Sequence, residues 1–425
     1  MIIDTKVLID NRQCRIKRSH LDDPASLPDI IEESLGPDIL RWYIAQVLED
    51  EVLIETTAYA GELSEIGDVT QRRHHPGKSV LLNVIPTGIG CSIGGYAGDA
   101  APVTNLLATT VDYLVTNPNA VNASDFIGLD SSKIVYAEGS CIDLFCRGAV
   151  DLHIPYMNRI GLIIEKTSDR RLDVIFNVIN AVRAVHGVEI VDCLVTDRPI
   201  GGRSVENRSG AFVGTVDNPD VLLQSCDRLL KKGATAIAIT SDIQDLPFND
   251  YAKHFAGEYP NPTGGVEAVM SYLVTRTFQV PAAHAPLINI KELDLANNIV
   301  DARGAGEFAS ESGLACILVG LAKAPQIKPV PDVRISDIIN LHNLLAIITP
   351  ASALGGVPAI YGQRFNIPVI AVEENQTIFD VTQSQLNLNN IIHARSYLEA
   401  AGVILALKKG ISLESLQRPL KTYKY

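Results

Sequence analysis

Val80-Leu-Leu-Asn-Val-Ile-Pro-Thr-Gly-Ile-Gly-Cys-Ser-Ile-Gly-Gly-Tyr-Ala-Gly-Asp99 passes from an apolar run into a glycine-rich turn. The run Val80–Pro86 has the composition of a strand covered on both faces. Five glycines then fall between positions 88 and 98, where backbone freedom and close approach matter most. A helix is expected from Pro102, with Val103, Leu106 and Leu107 on one face. Strand, glycine turn and helix in this order open a parallel α/β unit.

The same rhythm continues downstream. Ile160–Glu165 reads as a strand, Asp173–His186 as a helix closed by Gly187, and Val188–Thr196 as a strand. Asn218-Pro219 opens a helix to Lys232, which feeds the strand Ala234–Thr240. Val266, Val269, Met270, Leu273, Val274 and Phe278 have the spacing of an amphipathic helix. Strands are expected at Val280–Ala285, Leu344–Thr349 and Pro368–Glu373, and a closing helix at Asn390–Lys408. The fold class is α/β: largely parallel sheets with flanking helices. Residues 79–425 form one α/β domain or two lobes with a boundary near 245–260. Residues 1–78 read as a small α+β part, with a helix over Leu27–Leu48, a strand over Val52–Tyr59 and a polar connection over Gln71–Lys78. Three segments share the order Gly-Gly, helix, apolar strand, starting at Gly94-Gly95, Gly264-Gly265 and Gly355-Gly356, which suggests repetition of a supersecondary unit.

The candidate chemistry lies where these units turn. Amides bared at a glycine-rich turn near a helix start suit a phosphate or carboxylate, so Thr87, Gly88, Gly90, Gly94 and Gly95 are candidate substrate contacts. Asp99 is either a helix-capping carboxylate or an acid/base group, and Cys91 either a nucleophile or a small filler. Asn261-Pro-Thr-Gly-Gly-Val-Glu267 adds Thr263, Gly264 and Gly265 as contacts and Glu267 as an acid/base candidate. His284 falls near a strand's end, at the usual rim of an α/β site. Ser352, Gly355, Gly356, Asn117, Asn119 and Asn375 complete the contact set. Glu138, Glu307 and the arginines Arg198 and Arg203 are less specific polar features.

A dinucleotide site is the obvious rival. Gly88, Gly90 and Gly94 give only a loose glycine fingerprint, and the next strand ends in Asn117 rather than a ribose-binding acid. No P-loop, no nucleophile elbow around Ser352 and no metal-ligand spacing occurs, and His74-His75 is merely adjacent. No cofactor and no metal is therefore expected.

Pro86-Thr-Gly-Ile-Gly with Ile93-Gly-Gly-Tyr-Ala-Gly-Asp99, Asn261-Pro-Thr-Gly-Gly-Val-Glu267, and Gly355-Gly-Val-Pro-Ala359 with Asn375 resemble a bacterial and cyanobacterial family catalogued only as a domain of unknown function. The resemblance covers most of the chain after the N-terminal part. It implies no activity, so no residue role is carried over from it.

Composition bounds the rest. A formal charge of −13 argues against a nucleic-acid partner, which needs concentrated Lys and Arg. Seven cysteines without a CxxC pair fit a reduced compartment. The N-terminal stretch does not read as a secretory signal, and the apolar runs are too short to span a bilayer. The expectation is a cytoplasmic protein without membrane contact, a homodimer by base rate. The expected function is an enzyme on a small polar metabolite carrying a carboxylate, amide or cyclic amide, with amide hydrolysis favoured. A racemase or isomerase, an NAD(P)-dependent oxidoreductase and a non-catalytic metabolite-binding protein are the alternatives.

Overall fold

Six parallel strands form the sheet that the glycine-rich segment leaves. The computed structural model describes residues 9–61, 63, 77–118, 120–124, 126–130, 132–244, 248–287, 299–310, 313–329 and 338–424. Asn119, His74-His75 and most of the connection at 71–78 lie outside the described residues. The strand order is Ile391–Ala394, Val369–Val372, Leu344–Pro350, Val80–Asn83, Tyr113–Thr116, Ile134–Tyr136. Val80 sits opposite Tyr113 on one side and Leu344 on the other. From the Val80 strand the chain winds outward one way, and from the Leu344 strand it winds the other way. The winding therefore reverses between these two neighbours, and a crevice opens beyond their carboxyl ends.

Alternation within each strand serves both faces. Leu81, Ile348 and Ile370 pack towards the helices Ala101–Ala108 and Tyr397–Lys408. Val80, Leu82, Ile347 and Val369 pack towards Gly139–Cys146 and Val357–Arg364. Each such side chain, fully buried, contributes about 2 kcal/mol of apolar transfer.

A second parallel sheet has the order Ala282–Pro286, Ala236–Ser241, Arg159–Ile164, Glu189–Val195. The strands that lead into the first and third glycine units, Val80–Asn83 and Leu344–Pro350, are neighbours in the large sheet, and the second unit supplies the Ala282–Pro286 edge of this smaller one. The helix Gly264–Phe278 joins the two halves and is buried along nearly its whole length, not on one face as its spacing suggests. Its start reaches the strand Phe212–Val216 so closely that a Cβ on Gly265 would lie 2.3 Å from the Phe212 carbonyl oxygen.

Two expected helices are corrected. The helix expected over Leu27–Leu48 stops at Leu35, and Ile39–Val47 is a strand. Gly36 takes φ +86°, and Pro37 cannot continue the helix. Beyond that break Leu40, Trp42 and Ile44 are buried while Arg41 and Tyr43 are less so, the two-residue period of a strand. This strand, Ile9–Lys17 and Glu51–Tyr59 make an antiparallel N-terminal sheet. The closing helix begins at Tyr397, where Ser396 accepts a hydrogen bond from the Glu399 amide, and Ile391–Ala394 before it is the sheet's edge strand.

Candidate functional site

The carboxyl ends of the large sheet, the N-terminal sheet and the buried helix Gly264–Phe278 together enclose a cavity of about 180 Å³. The segment after the Val80 strand supplies Ile85 and Thr87, and the loop after the Leu344 strand supplies Gly355 and Gly356. The cavity thus sits where the winding reverses, the place where α/β sheets bind ligands. A second chamber of about 100 Å³ lies next to it. Thr87, Gly264, Glu267 and His284 line both.

Glu267 stands in the first turn of its helix, where a carboxylate is favoured by the helix dipole. Thr263 Oγ1 donates to Glu267 Oε1 at 2.6 Å and lies 2.8 Å from Asn261 Oδ1. Glu138 follows the strand Ile134–Tyr136 and lines the larger cavity. Burial pushes the Glu138 carboxyl well above the usual range, and the negative charge of Glu267 pushes it further. Two carboxyl groups that repel one another in a buried site each favour the protonated form of the other.

His284 lies in the edge strand Ala282–Pro286, opposite Ile239. Its Nε2 is 2.8 Å from Ser241 Oγ, and its Nδ1 is buried with no hydrogen-bond partner among the described residues. Burial lowers its pKa to about 3, so the ring is neutral at physiological pH. A neutral imidazole with one free nitrogen offers a hydrogen bond to a ligand at the junction of the chambers.

The larger cavity also contains a cation that the sequence did not suggest. Arg41 lies 5.5 Å from the Tyr43 ring centroid and 5.9 Å from that of Tyr272. These ring contacts hold it, and it makes no ion pair among the described residues. Asp143 is nearby in the lining and accepts a hydrogen bond from Tyr272 Oη at 2.6 Å. Burial raises Asp143 to about 6 against the pull of that bond and of Arg147. Arg41 was hidden inside the helix expected over Leu27–Leu48; the alternation beyond Pro37 was the signal that could have placed it on a strand.

The other expected site residues fall into distinct places. Asn117 and Gly264 line the larger cavity, and Gly88, Gly94, Gly95 and Thr263 line the second chamber. Asn117 and Asn375 spend their amides on the backbone of Ile85 and Ile93. Ser352 Oγ pairs with Thr377 Oγ1 at 2.9 Å outside both cavities. Gly90 borders neither, and Gly265 serves the close approach to Phe212. Gly355 makes room for the N-terminal sheet: Ile44 donates its amide to the Gly355 carbonyl at 2.9 Å.

Cys91 is buried within the glycine-rich loop, its thiol donating to the Pro86 carbonyl at 3.2 Å. Burial and the charge of Asp99 raise the thiol, the opposite of what an activated nucleophile needs. Asp99 borders neither of the two chambers. Burial raises it to about 7, against backbone hydrogen bonds from Gly94 and Tyr96 that favour its charge. It does not cap the helix Ala101–Ala108, whose N-cap is Ala100. Arg198 and Arg203 pair with Asp220 and Asp217, away from both chambers.

Among the described residues no three His, Cys, Asp or Glu side chains are grouped to hold a metal. No single described helix is long and apolar enough to cross a membrane.

The chain is 35% identical over 343 residues to an uncharacterized lipoprotein of a Synechococcus strain, an alignment covering 80% of this chain and 92% of that protein. That name corrects the expected cytoplasmic location: a relative matched over nearly its full length is called a lipoprotein, and cysteine usage and the N-terminal stretch cannot stand against it. No solved structure matches the chain. The model of the family described as Protein of unknown function (DUF3326) matches residues 79–417, and the chain belongs to that family.

Proposed function

We propose that the protein is an enzyme acting by acid–base chemistry on a small metabolite with an anionic group, and that the reaction is hydrolysis of an amide. One observation carries this reading: Glu138 and Glu267 line one cavity at the reversal point of the sheet, with Glu138 driven towards its protonated form. Two carboxyl groups in different protonation states are what a hydrolysis needs. Glu267 takes a proton from water as its oxygen bonds to the amide carbon. Glu138 gives its proton to the nitrogen as the carbon–nitrogen bond breaks. The unpartnered His284 Nδ1 hydrogen-bonds the substrate, and Arg41 holds its anionic group. The raised Cys91 thiol and the placement of Asp99 leave both outside this chemistry.

Incubation of the purified protein with a pool of small amides and cyclic amides, followed by mass spectrometry, tests the reading. The wild type is expected to convert at least one of them with gain of one water. Glu138→Gln and Glu267→Gln are each expected to reduce that rate about 10²–10⁴-fold. Conversion without gain of water would replace hydrolysis by isomerisation. Turnover undiminished in both variants would remove the carboxyl pair from the mechanism.

A further inference from the structure

The second chamber differs in charge from the first. The larger cavity holds Arg41, whereas among the described residues no Lys or Arg lines the second. Its distinctive charged group is Glu307. Glu307 Oε2 accepts from the Ala97 amide at 2.8 Å and lies 3.9 Å from His254 Nε2. Oε1 has only a long contact, 3.4 Å, from Tyr251 Oη. A carboxylate oxygen accepts two good hydrogen bonds, so Oε1 retains acceptor capacity. Despite its burial, Glu307 is held below the usual carboxylate range, His254 and the Ala97 amide outweighing the desolvation.

We infer that this chamber is the subsite for a cationic amine, and that the substrate is bipolar: an anionic group at Arg41, an amine at Glu307, and the reacting bond at the shared wall of Glu267 and His284. The Arg41 end rests on the function proposed above; the amine end rests on the second chamber alone. The chemistry follows from the lining. An ammonium group donates three hydrogen bonds, and Glu307 Oε1 and Tyr251 Oη are acceptors along this wall. A second carboxylate placed there would face Glu307 and Glu267, and His254, 3.9 Å from Glu307 Oε2, is already engaged by Glu307. Thr87, Gly264, Glu267 and His284 line both chambers, so a ligand spanning the two would pass Glu267.

The test uses ω-amino carboxylates of three to six carbons as probes, with the matching unsubstituted carboxylates and alkylamines as controls, and reads dissociation constants by calorimetry on the full chain. One amino carboxylate is expected to bind at least tenfold more tightly than its carboxylate control. Glu307→Gln is expected to abolish that advantage while leaving carboxylate binding intact. Gly313→Leu, which adds bulk beside Ala285 in the second chamber without changing charge, is expected to do the same. Equal binding of amino carboxylates and plain carboxylates, both lost in Arg41→Gln, would overturn the amine subsite and leave the anion site standing. Failure of every carboxylate to bind would overturn both.

Discussion

Asn117 grips Ile85 by both ends of its side-chain amide: Oδ1 accepts from the Ile85 amide at 2.9 Å, and Nδ2 donates to the Ile85 carbonyl at 2.7 Å. The pair continues the sheet ladder for one residue after the strands Val80–Asn83 and Tyr113–Thr116 have ended. Asn375 grips Ile93 in the same way, at 2.9 Å each, and donates also to Tyr397 Oη. The glycine-rich loop is thereby pinned by one asparagine at its start and by another at its middle. Asn117→Ala leaves a buried amide and carbonyl unpaired, and a loss of about 2–3 kcal/mol is expected in urea unfolding. Asn117→Asp is expected to be at least as damaging, because it places a carboxylate against the Ile85 carbonyl. A change under about 0.5 kcal/mol in both would show that the bracket does not hold the loop.

Glycine content separates close approach from ordinary helix filling. Gly265→Ala would place a methyl 2.3 Å from the Phe212 oxygen and 2.4 Å from Val213 Cα, both backbone atoms that cannot step aside. A loss of several kcal/mol, or failure to accumulate soluble protein, is expected. Gly402 lies in the helix Tyr397–Lys408 with nothing within 4 Å of its would-be Cβ. Gly402→Ala is expected to raise stability by about 0.5–1 kcal/mol through helix propensity. The two melting curves, measured side by side, should move in opposite directions.

The same comparison explains what the sequence could and could not convey. Val80–Asn83, the glycine turn and the helix after it were legible because apolar run, glycine cluster and helical spacing agree locally. Thr87, Glu267 and His284, singled out from the sequence, line both cavities: Thr87 follows a strand, Glu267 opens a helix and His284 lies in an edge strand. Arg41 was not, since Ile39–Val47 reads helically if Gly36-Pro37 is passed over. Glu138 stood out weakly: Glu267, whose charge it feels, lies 129 residues later and shares its cavity only because Gly139–Cys146 packs against Gly264–Phe278. Asp99 and Cys91 each carried two readings in the sequence, and in the structure Cys91 is buried and Asp99 borders neither chamber.

Two buried groups give opposite pH signatures. Asp99 has a folded pKa of about 7 against an ordinary 3.8, so its protonated form is favoured by folding. Its effect on stability is absent below about pH 4 and becomes increasingly unfavourable as pH rises to 7. Asp99→Asn is therefore expected to gain stability relative to wild type across that window. His284 has a folded pKa of about 3 against 6.5, so folding favours its neutral form. The stability it preserves is present above pH 6.5 and is lost as pH falls towards 3. His284→Gln should flatten that acid limb. Denaturation midpoints of the three proteins between pH 3 and 8 check both signs, and parallel curves would remove both assignments.

The protonation of Glu138 beside Glu267 is the central claim, and infrared difference spectroscopy at pH 7 reads it directly. Subtracting the Glu138→Gln spectrum from that of the wild type should leave the carbonyl band of one protonated carboxylic acid. That band should weaken in Glu267→Gln as the pH is raised, because the neighbouring charge that holds the proton on Glu138 is gone. A difference spectrum showing only an ionised carboxylate at pH 7 would contradict the acid–base pair on which the proposed function depends.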